Sequence, residues 1–507
     1  MFRTSLKVTH FAWLMSFLTF LFFHYAFFKF VFENIDYTSF NGILAIVSLV
    51  ALMLIMNALL FYLFLYPSRY LGKFMLVVFF LANAISVYFV NTYGVIIDKT
   101  MIGNVINTNF DESSSFFSLK LIVYVFFLGI LPSIFIVKAK LQTETFKRFL
   151  INCGIALAAI ATLILVNASN WLWIDKHSKQ LGGLAMPWSY SVNLGLYYSS
   201  KSKANKKEIL LPNATAKDNQ KSVVVLVIGE SARKQNFSLY GYAKNTNPLL
   251  SKVDNLHHFD ATSCATYTTA TLKCILEHTH TNDLYEILPN YLYRNNFEVI
   301  WRTTNSGEPP IHIKNYQTRA TLSQQCEGEG CNYDEILLSG LKEQILASDK
   351  DKILVVLHTS TSHGPTYSKK YPPRFETFSP VCNSVELGNC SNEELINAYD
   401  NSIIYTDYLL SQVINELKLL SDFQSSMLFV SDHGESLGEK NLYMHGVPMS
   451  IAPKEQYEIP FIVWTSENSQ REYKVNGTLS QNHVFHSVLD FLHIDSPIYT
   501  SEMSIFK

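Results

Sequence analysis

Apolar positions concentrate in five runs before residue 168, at Phe11–Phe32, Ile43–Tyr66, Phe74–Tyr93, Leu121–Val137 and Phe149–Ala168. Each approaches the roughly 20 residues with which an α-helix crosses the hydrocarbon core of a bilayer. Five such runs, nearly free of charge, predict membrane spans rather than the buried helices of a soluble core. The first is too long, and lacks a small-residue cleavage site, to read as a removable signal peptide.

Charge in the short loops predicts orientation. Arg3 and Lys7 precede the first run, Arg69 and Lys73 separate the second and third, and Lys138, Lys140, Lys147 and Arg148 separate the fourth and fifth. The alternate loops hold Lys29, Glu33 and Asp36, then Asp98, Lys99, Asp111 and Glu112. By the positive-inside rule the N-terminus is cytoplasmic, and an odd number of spans puts everything after Ala168 in the periplasm. Trp171 and Trp173 follow the last run as interfacial aromatics. The aromatic stretch Met186–Tyr198 reads either as a segment along the membrane surface or as a loop on the soluble part. Ser199–Lys221, rich in Lys, Asn and Ala, reads as a linker.

Beyond the linker the pattern changes. Val223–Ile228, Glu298–Thr303, Ile353–His358, Met427–Ser431 and Phe461–Thr465 are short apolar, largely β-branched runs, and Glu394–Leu420 has helical periodicity with acidic residues in its first turn. Buried strands alternating with helices predict a mainly parallel sheet covered on both faces. The expected organisation is an α-helical five-span membrane domain (1–168), an interfacial segment and linker (169–221) and an α/β periplasmic domain (222–507).

Composition adds compartment and excludes one partner class. The 40 basic and 42 acidic residues nearly balance, and no basic stripe points to nucleic acid. Six of seven cysteines form close pairs in the soluble part: Cys264 and Cys274, Cys326 and Cys331, Cys382 and Cys390. Such pairing suggests disulfides made in an oxidising space; scattered reduced thiols are the bland alternative, and no pair has the C-x-x-C spacing of a zinc site.

Chemistry in parallel sheets gathers outside the C-terminal ends of strands. There the chain places Gly229-Glu230-Ser231, His358 with Thr359-Ser360-Thr361-Ser362-His363-Gly364, and Ser431-Asp432-His433-Gly434-Glu435, with His445 further on. Each has a bland reading as a cap, a turn former or a structural histidine. Together, a Glu, an Asp and three or four His suit zinc, with manganese or another divalent ion left open. The hydroxyl-dense Thr262–Thr271 then turns helical, which would place a hydroxyl among free amides at a helix N-terminus; an ordinary Thr-rich cap is the alternative.

Several stretches resemble one family. They are Val-Ile-Gly-Glu-Ser-Ala-Arg (227–233), Ser-Leu-Tyr-Gly-Tyr (238–242) with Thr246-Asn247-Pro248, the Cys264–Cys274 segment, Ser-His-Gly-Pro-Thr-Tyr (362–367), Asn-Ala-Tyr-Asp-Asn (397–401) and Ser-Asp-His-Gly-Glu-Ser-Leu-Gly-Glu (431–439). Over nearly its whole length the chain resembles the phosphoethanolamine transferases that decorate lipid A, including the mobile colistin-resistance enzymes. The resemblance implies an inner-membrane, multi-pass enzyme whose periplasmic domain has the alkaline-phosphatase/sulfatase-like fold. It implies zinc held by Glu230, Thr268, Asp432 and His433, with a second metal left open, and Thr268 as nucleophile. His363 and His445 match histidines that carry a proton, a second metal or substrate, and Asn305 matches a residue that helps bind phosphoethanolamine. The cysteine pairs match the family's three disulfides. The implied donor is phosphatidylethanolamine and the implied acceptor lipid A, lipooligosaccharide or another glycan, with the chain a monomer among membrane lipids. Masking a phosphate in this way would weaken binding of cationic peptides such as polymyxins.

There are departures. Tyr267 replaces a small residue, Thr266 and Thr269 flank the expected nucleophile, and Pro309 stands near the place of a family lysine after Asn305. A phosphoglycerol transferase or a phosphodiesterase or sulfatase-like hydrolase of the same superfamily is the nearest rival. A sulfatase requires C/S-x-P/A-x-R, and Cys264-Ala265-Thr266-Tyr267-Thr268 lacks the Arg. A non-enzymatic sensor or scaffold predicts missing ligands, whereas the full set of ligand types is present.

Overall fold

The computed structural model describes residues 5–507 apart from 109–112, 168–169, 204–207, 282, 325, 386, 470 and 475–476. Arg3, Asp111, Glu112, Ala168 and part of the expected linker lie outside the described residues. The chain divides into two compact units, one of residues 1–103 and 117–201, the other of 104–116 and 202–507.

The first unit is helical. Its main helices are α1 (Val8–Phe23), α2 (Tyr25–Asn34), α3 (Phe40–Leu65), α4 (Arg69–Tyr93), α5 (Leu119–Lys138), α6 (Phe146–Val166) and α7 (Trp188–Lys203). Four of these, α3 to α6, are long and apolar enough to cross a membrane, and five spans result if the bent pair α1–α2 counts as one. The first apolar run is therefore not one straight helix: it breaks at His24 with a bend of 63°. Hydroxyl caps start the other spans, since Ser39, Ser68, Ser118 and Thr145 accept from the N–H three residues on. The interior buries Val8, Phe11, Met15, Phe61 and Phe80, while Phe17, Val47, Phe74 and Leu157 remain exposed. An apolar outer surface of this kind suits a lipid solvent. The aromatic stretch after Met186 forms α7 rather than a loop.

The second unit is built on an eight-stranded sheet. Its elements are β1 (Ser222–Gly229), β2 (Leu256–Thr262), α8 (Thr268–Leu276), β3 (Glu298–Thr303), β4 (Asn315–Thr318), β5 (Lys352–His358), α9 (Asn392–Lys418), β6 (Gln424–Ser431), β7 (Glu458–Thr465), β8 (Leu479–Ser480) and α10 (His483–Phe491). The strand order is β8-β2-β7-β6-β1-β5-β3-β4. Pairing is parallel from β6 through β4, and β7 runs antiparallel to both neighbours. The central strands β1 and β5 are buried along their whole length, as their continuous apolar composition requires. One core face packs Val224, Leu226 and Ile228 of β1 with Leu354, Leu428, Phe461 and Phe485. Helix α9 opens with a capping box between Ser391 and Glu394. Disulfides join Cys264 to Cys274, Cys326 to Cys331 and Cys382 to Cys390.

Candidate active site

Adjacent parallel strands β1 and β6 end together, so the residues that follow them meet. The Asp432 N–H donates to Gly229 O at 2.9 Å, fastening one strand end to the other. Ser231 takes a positive φ of 54°, a conformation that costs a non-glycine residue energy and persists where surroundings hold it. Its N–H donates to Asp432 Oδ1 (3.0 Å), its hydroxyl to Glu230 Oε1 (2.6 Å), and its carbonyl accepts from Tyr399 (2.6 Å). Asp432 Oδ1 also accepts from His433 N. Asp432 Oδ2 is buried and has no hydrogen-bond partner among the described residues, although it lies 3.3 Å from His433 Nε2.

His433 is oriented from behind. Its Nδ1 lies 2.9 Å from Gly434 O, so Nδ1 carries the proton and Nε2 turns its lone pair inward. That Nε2 is 3.5 Å from Glu230 Oε1 and 3.3 Å from Thr268 Oγ1. Thr268 is the first residue of α8, and its hydroxyl also lies 3.3 Å from Glu230 Oε2. Among the described residues it is the one threonine of three that hydrogen-bonds to this cluster; Thr266 donates to Val447 O, and Thr269 lines the cavity beside it.

Burial, with the charge of Glu230 next to it, pushes the Asp432 carboxyl well above the usual range. Burial and the nearby His445 push His433 down to about 3. Two carboxyls in a dry pocket oppose each other's charged forms, and a divalent cation reverses that logic. The orphaned Asp432 Oδ2 and the inward Nε2 of His433 are the atoms such an ion needs. One ligand atom each from Glu230, His433 and His445 lie within 4.8 Å of one another. Glu230, Asp432 and His433, with His445 beside them, can hold a metal.

The other expected residues divide. His445 lies against His433 with ring centroids 4.1 Å apart and the planes tilted by 42°, and is held through Nδ1 by Glu435 Oε2 at 2.7 Å. His363 is buried, its ring 5.4 Å from that of His445. Asn305 donates to Glu230 Oε2 (2.7 Å) and Thr359 O (2.8 Å), bracing the carboxylate. His358 does not join the cluster: its Nδ1 faces Glu308 at 3.0 Å and the ring is fully buried. Other participants were not singled out from sequence. Glu435 bridges Tyr367 and His445, and Gln481 ties down the Ser431 and Asp432 carbonyls. Asn104, Asn107 and Thr108 line a cavity of about 50 Å³ with Thr268 and His445. Glu435 sits inside a quoted motif; the Asn104–Thr108 segment has no signal of its own.

Comparison with known proteins decides the family. A profile described as "Sulfatase" matches residues 222–494, and one described as "Phosphoethanolamine transferase EptA/EptB" matches 44–202. "Phosphoethanolamine transferase EptA" of Helicobacter pylori is 41% identical over 96% of this chain and 94% of its own length. The chain belongs to the phosphoethanolamine transferase family. The solved integral membrane lipooligosaccharide phosphoethanolamine transferase A of Neisseria meningitidis superposes with a TM-score of 0.89 at 25% identity, covering 99% of each chain. The C-terminal periplasmic domain of the phosphoethanolamine transferase EptC from Campylobacter jejuni is 36% identical with a TM-score of 0.53, over 59% of this chain and 97% of that domain. The protein is thus a membrane-embedded transferase with its α/β domain in the periplasm, and that domain has the sulfatase-like fold of the alkaline-phosphatase superfamily.

Proposed function

We propose that this transferase moves phosphoethanolamine from phosphatidylethanolamine to lipid A or lipooligosaccharide in two steps, through a covalent intermediate on Thr268. The observation that carries the reading is the placement of Thr268 Oγ1 at a helix N-terminus, 3.3 Å from both Glu230 and His433. Glu230, Asp432, His433 and Thr268 would hold zinc. When bound, the ion supplies Lewis acidity that favours a deprotonated hydroxyl and neutralises phosphoryl charge.

In the first step Thr268 Oγ attacks the donor phosphorus. A P–Oγ bond forms, the bond from phosphorus to the diacylglycerol oxygen breaks, and the threonine proton passes to that oxygen through His363 or His445. In the second, a hydroxyl or phosphate oxygen of the acceptor attacks the same phosphorus, the P–Oγ bond breaks, and Oγ recovers a proton. The backbone amides at the start of α8 would face the phosphoryl oxygens. The Neisseria relative, a lipooligosaccharide phosphoethanolamine transferase, supports the acceptor class.

Intact-mass measurement after incubation with phosphatidylethanolamine tests this. Wild type gains one phosphoethanolamine, mapped to Thr268, and Thr268→Ala gains none. An adduct that survives in Thr268→Ala moves the nucleophile to Thr266 or Thr269. An adduct formed from phosphatidylglycerol instead would replace the donor.

A further inference from the structure

Ser231 touches both carboxylates of the candidate metal site. Its hydroxyl donates to Glu230 Oε1 at 2.6 Å and its N–H to Asp432 Oδ1 at 3.0 Å. Each bond occupies one carboxylate oxygen and so bears on which oxygen is left for an ion. Asp432 Oδ2 is the one without a hydrogen-bond partner among the described residues. Both bonds depend on the left-handed backbone of Ser231, at φ 54°, which a non-glycine residue keeps only where its surroundings over-determine it.

What holds that backbone comes from α9. The Tyr399 hydroxyl donates to Ser231 O at 2.6 Å and accepts from the Arg233 N–H at 2.9 Å. A single oxygen therefore clamps the turn on both sides of Ala232. The Arg233 guanidinium lies over the same ring, 5.5 Å from its centre, and its Nη1 donates to Glu435 O at 3.2 Å, beyond the end of β6. Tyr399 is fully buried, and burial raises its pKa, which keeps the hydroxyl a donor. The next residue, Asp400, is buried as well and accepts from Asn236, Tyr242 and Lys244. Helix α9 thus also grips the chain that follows the turn.

We propose that Tyr399 is a positioning residue for the metal. Through Ser231 it sets the spacing and orientation of the Glu230 and Asp432 carboxylates, without touching the reacting atoms. The inference rests on the metal reading above, and removing a partner that orients a metal ligand typically costs about 10–100-fold in metal affinity.

Full-length protein in detergent micelles, stripped of metal and titrated with zinc against a fluorescent chelator, tests this. Tyr399→Phe should bind zinc about 10–100-fold more weakly than wild type. Saturating zinc should restore its rate of phosphoethanolamine transfer, with the half-saturating concentration of phosphatidylethanolamine unchanged. Tyr405→Phe removes another buried hydroxyl of α9, one that accepts from the Glu335 N–H at 3.0 Å; its zinc affinity should match wild type. Ser231→Ala loses the bond to Glu230 and should weaken zinc binding to a similar degree, which decides the matter if Tyr399→Phe does not fold. Wild-type zinc affinity in Tyr399→Phe or in Ser231→Ala overturns the proposal. So does an equal loss in Tyr405→Phe, or a loss of transfer in Tyr399→Phe that excess zinc does not restore. Failure of wild type to take up zinc at all instead removes the metal reading on which the proposal stands.

Discussion

Replacing Glu277 by glutamine tests whether the helix that carries Thr268 is anchored by a protonated acid. Glu277 is the C-cap of α8, whose first residue is Thr268. It is 1% exposed, one carboxylate oxygen has no hydrogen-bond partner, and the other lies 3.5 Å from Lys273 Nζ. Lys273 itself is one-third exposed and donates to the carbonyls of Thr281 and Asp283, so it compensates only part of the desolvation. Burial raises the Glu277 pKa from 4.5 to about 7. A raised carboxyl pKa means the folded state binds the proton more tightly. The stability this confers is complete below about 4.5 and is lost as pH rises through about 7.

At 1.36 kcal/mol per unit the shift would be worth about 3 kcal/mol; solvent around Lys273 reduces this to roughly 2 kcal/mol. For a domain of this size each kcal/mol moves Tm by about 2–4 °C. Calorimetry of the full chain at constant zinc, from pH 5 to pH 8, should therefore find Glu277→Gln gaining roughly 4 °C on wild type at the alkaline end. The two should be nearly equal at the acidic end, where both side chains are neutral. Curves that run parallel across the range would refute the assignment of a buried, proton-holding Glu277.

Three further outcomes follow from the site. In Gly434→Ala the new Cβ would fall 2.0 Å from Glu455 O, so the loop carrying His433 and Glu435 must move; a loss of about 2 kcal/mol in denaturant melts should accompany at least a tenfold fall in adduct formation. Glu435→Gln removes the carboxylate that holds His445 at 2.7 Å. It should slow transfer by about 10–100-fold with the fold intact by circular dichroism. Stripping metal with a chelator leaves Asp432 and Glu230 facing each other without a cation. It should lower Tm and abolish the adduct, and added zinc should restore both.

What could be read ahead of the structure was what is local in sequence. Strands β1, β3, β5 and β6 are runs of apolar, often β-branched residues, and burial on both faces leaves little else they could be. Strand β2, Leu-His-His-Phe-Asp-Ala-Thr, escaped because all of it but Ala261 is exposed or half-buried and it pairs antiparallel with β7. Its polarity reflects an outer position rather than a loop. The break at His24 escaped for the opposite reason. His24 is buried, with Nδ1 near Thr19 O at 3.2 Å, so the apolar pattern runs through it undisturbed while the helix bends. At the site, Glu230, Asp432 and His433 were readable because strand ends are where parallel sheets expose chemistry. His358 had the same credentials and is turned away by Glu308, a partner fifty residues distant that no spacing rule supplies. Asn104, Asn107 and Thr108 reach the Thr268 cavity from a segment more than a hundred residues earlier. Motifs thus report the groups whose geometry one strand end dictates. The other residues that line the Thr268 cavity are brought by long-range packing, and that explains why the cluster at the strand ends was legible in the chain while Asn104, Asn107 and Thr108 were not.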